Sequence, residues 1–179
     1  CDPFKAFLNN FVPAAPHGAA AIAAARFADP AWLDFRLQGD SPLRGRALGG
    51  GDVGAYPGSA TGQVLYVSLQ GCDENPGTSE RRPLATLAKA AAALGPGDTL
   101  YVLPGVYREP LVVRTSGTER KPITIRAHGR KVAVLPAVVL NGSWITLAGF
   151  RVSAKNGDGV TVGGRDVVLK ECTVHHCAR

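Results

Sequence analysis

The fold is decided by the stretch Ile145-Thr146-Leu147-Ala148-Gly149-Phe150-Arg151-Val152, which recurs 22 residues later as Val167-Val168-Leu169-Lys170-Glu171-Cys172-Thr173-Val174. Apolar side chains match at positions 145/167, 147/169, 150/172 and 152/174. Ile123 and Ile125 stand one further step of 22 residues earlier. A fixed period in the twenties is typical of a solenoid, in which successive coils stack and bury a continuous core between them.

The residue types within the repeat indicate strands rather than helices. Leucine-rich repeats have a similar period, but their Leu-x-x-Leu-x-Leu-x-x-Asn frame is absent from this sequence. The apolar positions favour β-branched residues, which suit strands on every side of a coil. From about residue 98 onward the sequence shows only short strand patterns separated by Gly, Asn or Pro. We therefore predict an all-β solenoid.

One helical pattern precedes these strands. Apolar residues at 84, 87, 88, 91 and 94 predict an amphipathic helix over residues 84–94, with Pro83 near its start and Gly95-Pro96-Gly97 after its end. The open end of a stacked coil exposes unpaired backbone and needs a cover. We predict that this helix caps the coil just before its first turn.

The composition indicates a folded chain, and a glycine-rich stretch indicates a boundary within it. Hydrophobic residues make up 45% of the 179 residues and charged residues 19%, which is typical of a folded protein. The stretch 45–58 holds six Gly in fourteen positions and is predicted to be a linker. We therefore divide the chain into an irregular segment, 1–57, and a segment 58–179 that holds the cap and the first coils. No apolar run is long enough to span a membrane.

Positive charge is concentrated in one part of the chain. The formal net charge is +6, and residues 108–131 contain seven basic and two acidic residues. Such a field attracts anionic polymers, although charge runs of this kind also occur as plain solvated surface. Nucleic acid is not the expected partner, because interleaved aromatic residues and a groove-binding helix pattern are missing.

The segment from Leu65 to Ala127 resembles the first turns of secreted right-handed parallel β-helix proteins of the pectate-lyase-like superfamily. The resemblance is carried by Tyr66-Val67-Ser68, residues 71–78, Pro83-Leu84-Ala85-Thr86-Leu87, Pro96-Gly97-Asp98-Thr99, Pro104-Gly105-Val106-Tyr107-Arg108-Glu109, Ser116-Gly117-Thr118 and residues 121–127. It implies an all-β, right-handed parallel β-helix with one capping α-helix, truncated here after a few coils. Residues 28–30, 34–42 and 51–56 resemble the tail of such a domain, so segment 1–57 is interpreted as the end of a preceding β-helix module plus linker, or else as packing outside a single coil.

The resemblance also implies a function in polysaccharide processing, foremost a lyase that performs β-elimination on uronate glycans. It implies a secreted or cell-surface protein, which we expect to be a monomer with an anionic polysaccharide as its partner. β-Elimination needs the substrate carboxylate neutralised, usually by Ca²⁺ on Asp or Glu ligands, and a basic side chain to remove a proton.

Residues of the late coils supply the candidates for this chemistry. The offset of 22 aligns Lys170 with Ala148 and Glu171 with Gly149, at a corner that faces outward. The candidate catalytic residues are Lys170, Arg165 and His175. The candidate calcium ligands are Asp158 and Glu171. The candidate substrate-binding residues are Arg114, Arg126, Arg130 and Trp144.

Two alternatives stay open at this point. These residues are also what ordinary solvated corners and strands contain. The second alternative is that the chain is a non-catalytic glycan-binding or adhesive module, which needs only basic and aromatic residues on its surface. Trp144 is the test residue, since an exposed ring stacks on sugars whereas a buried ring belongs to the core.

Overall fold

The computed structural model describes residues 25–29, 34–46, 62–129, 132–154 and 158–175 of the chain. The chain divides into two units, residues 1–59 and 60–179. In the first unit, strand β1 (Phe27–Asp29) pairs antiparallel with β2 (Asp34–Leu37). Most of segment 1–57 lies outside the described residues, so its assignment as the tail of a preceding module stays a prediction.

The second unit contains twelve strands and one short helix among its described residues. In chain order they are β3 (Val64–Val67), α1 (Leu87–Ala92), β4 (Thr99–Val102), β5 (Gly105–Val106), β6 (Leu111–Val113), β7 (Ile123–Ala127), β8 (Ala133–Leu135), β9 (Val138–Leu140), β10 (Ile145–Ala148), β11 (Phe150–Ser153), β12 (Val160–Val162), β13 (Val167–Lys170) and β14 (Thr173–His175).

These strands form three parallel sheets, which make up the three sides of one solenoid. The five-stranded sheet has the order β13-β10-β7-β4-β3, the four-stranded sheet β14-β11-β8-β5, and the three-stranded sheet β12-β9-β6. The coils β4–β6, β7–β9 and β10–β12 each contribute one strand to each sheet, so the chain winds as a parallel β-helix. The all-β solenoid predicted from the sequence is confirmed.

In the late coils, paired residues on neighbouring strands are 22 residues apart, which is the period predicted from the sequence. Ile145 pairs with Val167 on one side and with Ile123 on the other. Val160 pairs with Val138 at the same offset on the three-stranded sheet. The first coil is longer, because the loop that carries α1 is inserted between β3 and β4, and Val64 pairs with Thr99.

The core lies inside the coil and is built from stacked columns of aliphatic side chains. Leu65, Leu100, Ile125 and Leu147 are in register on four successive strands, and none of them is more than 2% exposed. Burying one such side chain contributes about 2 kcal/mol. Leu169 continues the column on β13, where it is 44% exposed.

The helix is shorter than the sequence predicted. It spans Leu87–Ala92 rather than 84–94 and begins after Thr86, whose hydroxyl accepts a hydrogen bond from the Lys89 N–H. Leu84 is buried as expected but is bound to the edge of β3, where its N–H donates to the Tyr66 carbonyl at 2.9 Å. Ala88, predicted on the apolar face, is exposed.

The cover of the first strand also differs from the prediction. Helix α1 lies between β3 and β4, immediately before the coils that contribute a strand to all three sheets. The outer edge of β3 is covered by the segment 77–84, because the Tyr66 N–H donates to the Gly77 carbonyl at 2.7 Å. Helix α1 buries Leu87, Ala90 and Ala91 in the core cluster. A turn-rich loop and a short helix thus share the role that the sequence assigned to one helix.

Candidate functional site

One outward-facing column of the five-stranded sheet brings two predicted site residues together. The register places Tyr66, Tyr101, Arg126, Ala148 and Lys170 on successive strands, and we call this row the outer column. Neighbouring strands are about 4.8 Å apart, so one strand separates Arg126 from Lys170 and their backbones lie about 10 Å apart. Lys170 is exposed and Arg126 is half-buried. Ala148 lies between them and is itself buried.

The aromatic end of the outer column is closed. The rings of Tyr66 and Tyr101 stack with centroids 5.6 Å apart, and His128 lies edge-on to both at 5.8 and 5.5 Å. Both tyrosines are at most 1% exposed although they face away from the core. They therefore offer no surface to a sugar. This cluster was not predicted from the sequence, where its one signal is a Tyr at an outward position of two paired strands.

Three other predicted residues lie at a single corner of the coil. We call this the turn corner, made of residues 114–122, 141–144 and 163–166, where the chain passes from the three-stranded to the five-stranded sheet. It holds Arg114, Trp144 and Arg165. The Trp144 N–H donates to the Arg165 carbonyl at 3.0 Å, and the Ile123 N–H donates to the Trp144 carbonyl at 2.9 Å.

Hydroxyl groups and glycines hold the three turns of this corner in register. The Ser143 N–H donates to Ser116 Oγ at 2.9 Å, and the Arg165 N–H donates to Ser143 Oγ at 3.1 Å. A Cβ at Gly142 or at Gly164 would collide with the backbone carbonyl of the preceding turn. Because the turns touch backbone to backbone, the corner positions its side chains on a rigid support.

Trp144 is neither fully buried nor fully exposed. Its ring is half-buried, and its backbone is left-handed with φ 57°. Asp166 has the same conformation one coil later, with φ 54°. Trp144 is therefore neither a core residue nor a fully exposed one, and part of its side chain remains in contact with solvent.

The remaining candidates lie apart from one another. Glu171 follows Lys170 at the next corner, while Asp158 stands before β12 at the third corner, and both are exposed. The structure does not bring these two carboxylates together as a common calcium site. Across the described ranges, no group of three or more His, Cys, Asp or Glu residues is placed to hold a metal ion. His175 lies on the four-stranded sheet, paired with Ser153, and Arg130 lies outside the described residues.

The residues that carried the family resemblance in the first coil serve the fold. Asp73 accepts hydrogen bonds from the N–H groups of Ala85 and Thr86 and from the Thr86 hydroxyl, at 2.8 to 3.0 Å. The Thr86 hydroxyl, aided by these N–H groups, lowers the pKa of Asp73. Asp98 accepts hydrogen bonds from the Gln63 N–H at 2.8 Å and the Gly95 N–H at 2.7 Å.

Comparison with known proteins identifies the family. The family model described as Pel9A-like, right handed beta helix region, matches residues 65–179. The uncharacterized protein YwoF of Bacillus subtilis (strain 168) is 36% identical over 117 residues, which are 63% of this chain and 25% of that protein. Pectate lyase L of Dickeya chrysanthemi is 25% identical over 140 residues, which are 66% of this chain and 33% of that protein.

Solved structures show the same fold. Pectate lyase Pel9A superimposes with a TM-score of 0.53 at 24% identity, covering 64% of this chain and 34% of the enzyme. The GH136 lacto-N-biosidase from Eubacterium ramulus superimposes with a TM-score of 0.54 at 20% identity, covering 63% and 27%. The chain spans between a quarter and a third of the length of the curated relatives it matches. With the matched region covering most of the chain, this protein belongs to the Pel9A-like right-handed β-helix family.

Proposed function

We propose that this protein acts on uronate-containing polysaccharide outside the cell as a polysaccharide lyase, and that the described coils hold the anionic polymer. The observation that carries the proposal is the outer column, which places Arg126 and Lys170 on one face with only Ala148 between them. The family and the relationship to pectate lyase L support the substrate class. A monomer, as the sequence predicts, is sufficient for this arrangement.

The chemistry of the outer column suits carboxylates. A guanidinium binds a carboxylate through two parallel hydrogen bonds, while an ammonium acts as a compact point charge. Two cations about 10 Å apart on flexible stems can contact separate sugar units of one chain.

Binding to polygalacturonate tests this surface directly. We expect Arg126→Ala and Lys170→Ala each to weaken binding by about fivefold in affinity electrophoresis, and the double variant to weaken it further. Arg151→Ala is the matched control, because Arg151 is an exposed strand cation on the four-stranded sheet. Highly methyl-esterified pectin should not bind, since its carboxylates carry no charge. A double variant that binds polygalacturonate as wild type does would overturn the assignment.

The lyase activity needs a separate assay on the full-length protein. Pectate, alginate and glycosaminoglycans are incubated with and without Ca²⁺, and the ultraviolet absorbance of unsaturated products is followed. If Lys170 is the base, Lys170→Ala abolishes product formation, whereas Lys170→Arg retains part of the binding. Failure to form product from any of the three polymers would eliminate the lyase and leave a glycan-binding module.

No described helix has the length and apolar character needed to cross a membrane. The proposed location outside the cell rests instead on the relationship to pectate lyase L and on the proposed substrate, because uronate polysaccharides are extracellular material. Calcium remains a prediction for this protein. The candidate ligands Asp158 and Glu171 lie at different corners.

A further inference from the structure

Trp144 occupies a backbone position that disfavours its own side chain. L-residues other than Gly rarely adopt the left-handed conformation, and only Asn and Asp tolerate it well. The next coil places Asp166, a tolerated residue, at the equivalent position with φ 54°. Trp144 has φ 57°, and a bulky residue there is an outlier. Arg26 and Glu171 also have positive φ, so such positions are not confined to Asn and Asp in this protein, and the ring at position 144 needs a reason beyond the backbone.

The main-chain bonds at this position do not supply that reason. The Trp144 N–H donates to the Arg165 carbonyl, and its own carbonyl accepts from the Ile123 N–H. A residue of any type except Pro would form both bonds. Trp144 is not a member of the buried core cluster, and its ring remains partly open to solvent.

The ring lies on a rigid corner where exposed basic side chains outnumber the acidic ones, Glu119 and Asp166. Arg114, Lys121 and Arg165 are exposed at the same turn corner. The hydroxyl bonds of Ser116 and Ser143 and the backbone contact at Gly142 hold the three turns together. A partly exposed indole on a fixed support stacks on the apolar face of a sugar ring, and neighbouring cations select a sugar that carries a carboxylate.

We infer that Trp144 forms a sugar-stacking subsite at the turn corner, flanked by Arg114 and Arg165, that takes one uronate unit of the polymer. The inference rests on the proposed function. Trp144 precedes Ala148 by four residues, about 13 Å of extended chain, so the subsite lies at the opposite end of β10 from the outer column. A polymer that reaches both crosses the outer face of the five-stranded sheet, past the outward hydroxyl of Thr146.

The first test removes the ring without disturbing the turn. Glycine accepts a φ of 57° without strain, so Trp144→Gly should keep the fold, as judged by an unfolding midpoint close to that of the wild type. The same variant should bind polygalacturonate about tenfold more weakly, because the apolar C–H face of one sugar ring loses its contact with the indole. Trp144→Phe, which retains a smaller ring, should lose less binding than Trp144→Gly.

The second test uses the ring as its own reporter. The chain has two tryptophans, Trp32 and Trp144, so Trp32→Phe leaves Trp144 as the only indole emitter. Saturation with oligogalacturonate should shift the emission of Trp144 and reduce its quenching by acrylamide. A role in packing alone would leave the emission and the quenching unchanged.

The outcomes separate this inference from the function on which it rests. Binding that depends on Arg126 and Lys170 but leaves Trp144 emission unchanged, and survives Trp144→Gly, overturns the subsite and retains the proposed function. If the wild-type protein does not bind polygalacturonate, both the subsite and the proposed function are overturned. A fall in binding together with the emission change establishes the subsite.

Discussion

Tyr107 illustrates how one side chain fastens the first coil. Its hydroxyl donates to the Leu103 carbonyl at 2.8 Å and lies 3.3 Å from the Val67 carbonyl, on a strand 40 residues earlier. The residue is 3% exposed. Burial, with a smaller effect from the charge of Glu109, raises the pKa of Tyr107 well above its ordinary value. The neutral phenol is therefore the form that the folded protein requires.

Replacing this hydroxyl should weaken the fold by a small, measurable amount. Tyr107→Phe keeps the ring but removes the donor, and we expect the free energy of unfolding to fall by about 1 kcal/mol in urea denaturation at neutral pH. The raised pKa means that the wild type loses stability as pH rises above about 10, because the unfolded tyrosine ionises first. The difference between the two proteins should shrink there. Identical midpoints at neutral pH would contradict this role.

Asp73 should make stability depend on pH at the acidic end. Its folded-state pKa lies below the ordinary value of 3.8, so its contribution is present above that pH and is lost as pH falls through the folded-state value. Asp73→Ala should lower the free energy of unfolding by about 1 to 2 kcal/mol near neutral pH, as for loss of a helix cap. Asp73→Asn, which keeps an acceptor oxygen, should lose less. Thermal melts of the three proteins between pH 3 and 7 check this, and parallel curves would refute it.

At the scale of an element, the turn corner depends on glycines that let adjacent turns touch. Gly164 stacks on Gly142, and Gly142 stacks on the Thr115 backbone. A side chain at either position would separate the turns and break the register of β10 with β13. At this corner backbone contacts replace the side-chain packing found elsewhere.

Gly164→Ala should therefore cost far more stability than a neighbouring substitution. We expect a loss of about 3 kcal/mol, because the new Cβ meets a backbone carbonyl that cannot move without shifting a whole turn. Gly163→Ala is the matched control, since a Cβ there meets only the Asn141 side chain, at 3.0 Å from Oδ1. Urea midpoints that fall equally for both variants would show that the close approach is not the cause.

At the scale of the whole molecule, the net charge of +6 should govern how strongly the polymer is attracted. The screening length falls from about 10 Å at 0.1 M salt to about 3 Å at 1 M. We expect the affinity for polygalacturonate to fall by at least about tenfold across this range. The Arg126/Lys170 double alanine variant should show a shallower salt dependence, because two of the interacting cations are gone. Equal slopes would place the attraction elsewhere on the protein.

Much of this architecture was predictable from the sequence. The period of 22, the inward positions and the all-β class follow from local alternation, since stacked coils repeat the same pattern of buried side chains. Coil lengths other than 22 residues were not predictable in this way. Leu111 pairs with Val138 and Phe150 with Ala133, at offsets that differ from 22. Loop length varies freely where it adds no buried surface, so the sequence pattern carries no record of it.

The sequence by itself determined the all-β class, the 22-residue register of the late coils, which of the repeating side chains face the core, and that Lys170 and Glu171 meet a corner. Only the tertiary structure decided which of the candidates share a surface. Arg126 and Lys170 lie in one column, and Trp144 lies at the same corner as Arg114 and Arg165. Asp158 lies at a different corner. The physical reason is that alternation within a strand is a local property, whereas neighbours on the outside of a coil are set by the register between strands. That register depends on the length of every turn between them.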